Sequence, residues 1–119
     1  MIEAKLKRAF ASFPTDSTFL IAYSGGLDST VLLHAASTVA RELSNQRSVS
    51  LRAIHIHHGL SIHSDAWAEH CLVQCARLNI PLIIEHVSVE RTEGSFELAA
   101  RTARYAAFKK NMPESGVLL

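Results

Sequence analysis

Phe19-Leu20-Ile21-Ala22-Tyr23-Ser24-Gly25-Gly26-Leu27-Asp28-Ser29 decides the fold, because a short apolar run enters a Gly-Gly turn and an amphipathic pattern begins where that turn ends. Unbroken apolarity over so few residues marks a strand buried on both faces of a parallel sheet. Pro14-Thr15-Asp16-Ser17 supplies the turn before it. Downstream, Ser29 to Leu43 sets Val31, Leu32, Ala35, Ala36, Val39 and Leu43 at helical spacing, and Ser44-Asn45-Gln46 forms a soft stop. The expected unit is a strand, a tight loop and a helix.

That unit repeats along the chain. Val49 to His57 reads as a second strand, Asp65 to Leu78 as a second helix, and Pro81 to Val89 as a third strand after the break at Asn79-Ile80-Pro81. Phe96 to Lys110 is the third helix, with Ser95 as its N-cap and Lys109-Lys110 suited to its negative C-terminal end. Pro113 and Gly116 break the chain again, and Val117-Leu118-Leu119 opens a fourth strand. Strands alternating with helices imply right-handed crossovers, hence an α/β fold with a parallel sheet covered by helices on both faces. Residues 1–119 are expected to be the N-terminal part of one domain, broken off within the fourth strand.

Composition narrows the classes. With 48% hydrophobic and 19% charged residues the chain is that of a globular protein, not a disordered tail. A net charge of +1 argues against a free-standing nucleic-acid-binding module, so any RNA partner is expected to make most of its contacts elsewhere. The N-terminal Met1 to Arg8 has no apolar run of signal-peptide length, and no stretch approaches a membrane span. Cys71 and Cys75, four apart, read as small core residues on one helical face and form no CxxC pair. A reducing cytoplasm is the expected compartment, and a homodimer is left open.

The turn carries the chemistry. Ser24-Gly25-Gly26-Leu27-Asp28-Ser29 lies between a strand end and a helix start, where open parallel sheets bind ligands. Paired glycines let main-chain amides approach a phosphate without Cβ interference, and the N–H groups of the helix start add positive partial charge. Ser24, Ser29 and Thr30 add hydroxyl donors. The loop lacks the lysine of a Walker A sequence and the spacing of a dinucleotide fingerprint. Charge neutralisation then falls to Mg²⁺, and Asp28, the loop's one carboxylate, is the candidate catalytic and metal-holding residue. A plain Gly-Gly turn with Asp28 as an N-terminal helix charge is the bland alternative.

Three further groupings stay open on spacing alone. His55 and His57 project from one face of a strand, with His63 and Asp65 close behind, but the partners of a closed metal site are not evident. The strand end with His58 and Gly59 is better placed to line a nucleotide pocket, where main-chain groups near Ile56 can read an adenine edge. Glu97, Arg101 and Arg104 form one helical stripe, either a solvated salt-bridge face or a substrate-binding one. Trp67, at helical spacing from Cys71, is a packing anchor or a base-stacking platform.

Ser24 to Ser29 matches the SGGxDS signature and resembles the PP-loop ATP pyrophosphatases, which cleave ATP between the α and β phosphates and pass AMP to an acceptor oxygen. His55-Ile56-His57-His58-Gly59-Leu60 with Ser64-Asp65-Ala66, and Glu97-Leu98-Ala99-Ala100-Arg101-Thr102-Ala103-Arg104-Tyr105, resemble segments of the tRNA(Ile)-lysidine synthetases. The resemblance runs from about Phe19 to Leu119. It implies ATP with Mg²⁺ as cofactors, a CAU-anticodon isoleucine tRNA and free L-lysine as partners, and lysine ligation to C2 of the wobble cytidine through an adenylated intermediate. It also implies nucleotide binding by Ser24 to Ser29, Ile56, His58 and Gly59, and substrate binding by Glu97, Arg101 and Arg104. The family's H-x-x-D-D-type segment and its tRNA-gripping domains are not within these 119 residues, so the chain by itself is expected to hold part of an ATP site. Other expected alternatives are a tRNA-thiolating or amide-forming PP-loop enzyme and a non-catalytic nucleotide-binding module.

Overall fold

The computed structural model describes residues 2–59, 61–88 and 96–119. Eight elements follow in order: α1 (Ile2–Ser12), β1 (Thr18–Ala22), α2 (Leu27–Glu42), β2 (Ser50–His57), α3 (Ser64–Arg77), β3 (Leu82–His86), α4 (Phe96–Asn111) and β4 (Gly116–Leu118). The strands form one parallel sheet in the order β3-β2-β1-β4. Every expected strand and helix is present, with ends moved by a residue or two, except that β3 stops at His86 and leaves Val87 and Ser88 of the expected strand outside it. Leu60, the expected strand end at Val89 and the Ser95 cap lie outside the described residues.

One element was not anticipated. Ile2, Leu6 and Phe10 recur every fourth residue, and α1 uses that stripe to bury Leu6 and Phe10 beneath the sheet. Phe10 meets the ring of Phe19 on β1 at 4.6 Å between centroids. Three residues at the very start of the chain are few for a periodic signal, but the spacing was legible.

Alternation along β1 divides the core in two. Phe19 and Ile21, with Tyr23 just beyond, face a cluster built from α1, α2 and α3 through Phe10, Leu33, Val39, Cys71 and Cys75. Leu20 faces the opposite side, where Ile54 of β2 and Phe108 of α4 close a smaller cluster with Ala22, Ile56, Ile83 and Met112 around it. Three helices therefore cover one face and α4 the other. The arrangement follows from crossover handedness: the chain steps from β1 outward to β2 and β3, then returns across to β4 on the far side of β1. A right-handed crossover in the reverse direction must carry its helix over the opposite face. The reversal leaves a switch point between β1 and β4, and in open parallel sheets ligands bind beyond the strand ends at such a point.

Candidate functional site

β1 ends at Ala22, the Tyr23 N–H makes a last rung to the Ile54 carbonyl at 2.8 Å, and the chain then turns through Ser24 to Gly26 into α2. Gly25 takes φ +87°, the left-handed region that side chains avoid. Space forbids a side chain there as well: a Cβ would stand 2.8 Å from Cys71 Sγ and 2.9 Å from Cζ2 of the Trp67 ring. The loop is thus pressed against α3, and only glycine fits.

Inside the loop the hydroxyl of Ser29 is the hub. It lies 2.9 Å from Ser24 Oγ, accepts from the Gly25 N–H at 3.2 Å and reaches the Gly26 carbonyl at 3.3 Å. The Gly26 N–H donates to Ser24 Oγ at 3.2 Å, and Thr30 Oγ1 donates to the Gly26 carbonyl at 2.7 Å. Gly26 is the N-cap of α2 and supplies no side-chain cap, so the amides of the first turn keep the donor capacity that helix starts offer to anions. A hydrogen bond to a charged group contributes about 1.5–3 kcal/mol, so a few converging amides and hydroxyls can do the work of a lysine.

The loop is held from behind by three side chains. His55, buried on β2, donates its Nδ1–H to the Tyr23 carbonyl at 3.0 Å. On α3 the Trp67 indole N–H donates to the Ser24 carbonyl at 2.7 Å, and Cys71 Sγ lies 3.8 Å from the same oxygen and 3.6 Å from His55 Nδ1. Burial pushes the thiols of Cys71 and Cys75 up to about 11, so both are protonated at neutral pH. They are core residues, in keeping with their spacing.

A cavity of about 570 Å³ opens over the carboxyl ends of β1, β2 and β4. Ala22, Ile54 and Phe108 give it apolar lining, and Ser24, His58, Trp67 and Arg104 add polar groups. Volume and a largely apolar lining suit a nucleoside-sized ligand. His58 Nδ1 is buried there without a hydrogen-bond partner among the described residues. Desolvation, followed by the positive charge of Arg104 and the neighbouring imidazoles of His55 and His57, lowers the His58 pKa from its ordinary value, so this ring meets a ligand neutral.

Among the expected site residues, Ser24, Ile56, His58 and Arg104 line the cavity, and Gly25 to Ser29 continue from Ser24 as the loop. Gly59 follows His58 with φ +69°. Leu27 and Asp28 are exposed in the first turn of α2. Glu97 and Arg101 are exposed on α4 and are not part of the cavity wall; the Arg101 and Arg104 guanidinium groups stand 5.5 and 5.7 Å from the centre of the Tyr105 ring, which does line it. His57, which also lines the cavity, is engaged by neighbours: its Nε2–H donates to Asp65 Oδ1 at 2.7 Å and its ring packs 4.5 Å from that of His86. Among the described residues no group of three or more metal-ligating side chains converges. Sequence reasoning missed His55 and Trp67 as supports of the loop, since bonds to a backbone carbonyl 32 and 43 residues away leave no trace in local spacing.

A parallel sheet with a glycine loop at its switch point, beside a nucleoside-sized cavity, is the arrangement of a nucleotide-binding α/β domain. The chain belongs to the PP-loop domain family, whose model matches residues 1–119. It is 48% identical over 118 residues to the tRNA(Ile)-lysidine synthase of Haemophilus influenzae strain PittGG, covering 99% of this chain and 26% of that protein. Against the tRNA(Ile)-lysidine synthase of Pseudomonas aeruginosa it is 45% identical over 118 residues, again 99% of this chain and 26% of the relative. The chain therefore spans about a quarter of the length of the curated relatives it matches. Among solved structures it resembles the U34-tRNA thiolase NcsA from Methanococcus maripaludis with its 4Fe-4S cluster, at a TM-score of 0.59 and 17% identity over 92% of this chain and 41% of that one. That likeness is one of fold.

Proposed function

We propose that this chain is the ATP-handling part of a tRNA(Ile)-lysidine synthase, which joins the ε-amine of free lysine to C2 of the wobble cytidine in a CAU-anticodon isoleucine tRNA. The observation that carries the reading is the loop itself: the Gly25 and Gly26 amides and the Ser24 and Ser29 hydroxyls form one hydrogen-bonded turn at an uncapped helix start, and Ser24 of that turn lines the cavity. Identity of 45–48% to lysidine synthases across 99% of the chain supports this substrate choice over other uses of the loop. Segments corresponding to the remaining length of those relatives are proposed to grip the tRNA and to complete the catalytic site.

In this reading the pyrophosphate end of ATP rests against Gly25 to Ser29, and the base enters the cavity beside Ile56 and His58. Ile54 gives its carbonyl to the Tyr23 amide, so Ile56, two residues on, directs its main-chain groups to the same side just past the end of β1. Those groups are suited to an adenine edge, and His58 Nδ1 gains the partner it lacks. The C2 oxygen of the cytidine attacks the α phosphorus, the bond to the β phosphate breaks, and pyrophosphate leaves into the donors of the loop. The lysine amine then attacks C2, AMP departs with the oxygen, and the amine proton passes to solvent. No protein nucleophile is required, since positioning and charge stabilisation suffice.

Asp28, exposed one residue into α2, fits a Mg²⁺ that binds mainly through phosphate and water and takes one or two protein carboxylates. When bound, the metal would neutralise charge on the leaving phosphates. Arg104, on the cavity wall, is placed to meet phosphate or substrate carboxylate, with Arg101 and Glu97 along the same helix.

Thiolation is disfavoured as a use of this loop because both cysteines are buried and held protonated. The assay that tests the proposal combines the protein, and its reading frame extended beyond Leu119 where one exists, with ATP, lysine and isoleucine tRNA. Release of AMP and pyrophosphate that depends on tRNA is the expected result. Release of ADP and phosphate, or cleavage indifferent to tRNA, would contradict it.

A further inference from the structure

The grip of the loop on phosphate has a mechanical prerequisite, and it lies on another element. A trans peptide points its C=O and N–H in opposite directions, and none of the described peptide bonds is cis. The peptide joining Ser24 to Gly25 is pinned at its oxygen, which accepts the Trp67 indole N–H at 2.7 Å. Its other end, the Gly25 N–H, consequently points away from α3 into the hollow of the loop, where it finds Ser29 Oγ at 3.2 Å. Rotation of this one peptide would swing the amide out of the hollow and present a carbonyl to an anion. Glycine at φ +87° lacks the side chain that would resist such a rotation.

Trp67 is itself held on both sides. Its ring lies where a Cβ on Gly25 would stand 2.9 Å away, and it stacks on His70 one helical turn on, with centroids 5.0 Å apart and planes at 20°. It also lines the cavity and is 44% exposed, more open than a packing anchor needs to be. Cys71 lies farther from the same carbonyl, at 3.8 Å, and is the weaker tie.

We propose that Trp67 is a positioning residue for the phosphate loop: its indole N–H fixes the Ser24–Gly25 peptide so that the Gly25 amide faces the phosphate end of the ligand. The inference rests on the reading of the loop as a phosphate site and adds the device that keeps it in binding form. Trp67 touches the loop backbone and not the reacting atoms. The contribution of its N–H therefore falls on ligands that carry a phosphate tail, while its ring, which lines the cavity, also meets a bare nucleoside.

The test uses Trp67→Phe, which keeps an aromatic ring against Gly25 and removes the N–H donor. Calorimetric titrations with ATP, inorganic pyrophosphate and adenosine are compared with the unsubstituted chain. Loss of one neutral hydrogen bond predicts about three- to tenfold weaker binding of ATP and pyrophosphate, with a smaller loss for adenosine, which meets the retained aromatic ring and not the N–H. Equal weakening of all three, or of none, overturns the proposal. If the unsubstituted chain binds neither ATP nor pyrophosphate, the phosphate-loop reading itself is what fails. A second measurement needs no variant: Trp67 is the one tryptophan of the chain, so its indole N–H gives a single proton–nitrogen resonance. That resonance is expected to shift with pyrophosphate, and the absence of any shift under saturating pyrophosphate counts against the clamp.

Discussion

Gly25 joins two constraints that usually occur apart, a left-handed backbone and a contact with no room for a methyl group. Gly25→Ala is expected to cost about 2 kcal/mol or more, from backbone strain together with overlap against α3. Urea unfolding followed by circular dichroism measures this; an unchanged midpoint would show that the loop does not sit against Trp67 and Cys71 as described. His58 gives a residue-scale pH dependence. Its folded pKa lies below the ordinary value of 6.5, so between the two values the unfolded chain binds more protons. The stability tied to neutral His58 is full above 6.5 and is lost as pH falls through the lowered value. His58→Gln should flatten that part of the curve of unfolding midpoint against pH. A curve that keeps its slope would assign the effect to another group.

At the scale of elements, α4 covers its face of the sheet alone among the described helices, through Phe108 against Leu20 and Ile54. A clasp at the edge ties it to β3: Glu85 accepts from Lys110 Nζ at 2.8 Å and from Asn111 Nδ2 at 3.2 Å. Those two bonds, the Lys110 one first, hold the Glu85 carboxyl below its ordinary value of 4.5. Here too the unfolded chain binds more protons in the interval, so the clasp stabilises above 4.5 and is lost as pH falls through the depressed value. Glu85→Gln should reduce the acid sensitivity of thermal unfolding in that window while changing little at neutral pH, as expected of a pair exposed on the lysine side. Acid sensitivity equal to that of the unsubstituted chain would remove the clasp from the account. The elements themselves were largely legible. Apolar runs at Phe19–Tyr23 and Val49–His57 and the helical spacing from Val31 to Val39 each follow from burial on a sheet, and burial is what periodicity records. α1 was overlooked although Ile2, Leu6 and Phe10 spell its face.

Across the whole molecule, sequence order does not state strand order. Alternating strands and helices are compatible with several arrangements, and only the placement of β4 beside β1, with Thr18 opposite Gly116, sets the switch point beside the loop. The glycine loop between β1 and α2, the proposed phosphate site, was readable as a loop because it is made of contiguous residues, Ser24 to Ser29. The cavity above it was readable only in part, because Trp67, Tyr105 and Leu118 reach it from three separate elements. Net charge is +1, so attraction to a triphosphate is not spread over the surface. On the proposed reading it is concentrated in main-chain donors at one corner, and that corner is where the proposal is most exposed to test. Backbone amide resonances followed during titration with ATP and Mg²⁺ give the most direct measurement. The account predicts that Gly25, Gly26 and Ser29 shift with ATP and with pyrophosphate, and that adenosine moves Ile56 and His58 instead. Binding of ATP that leaves the Gly25 and Gly26 amides unmoved would contradict it.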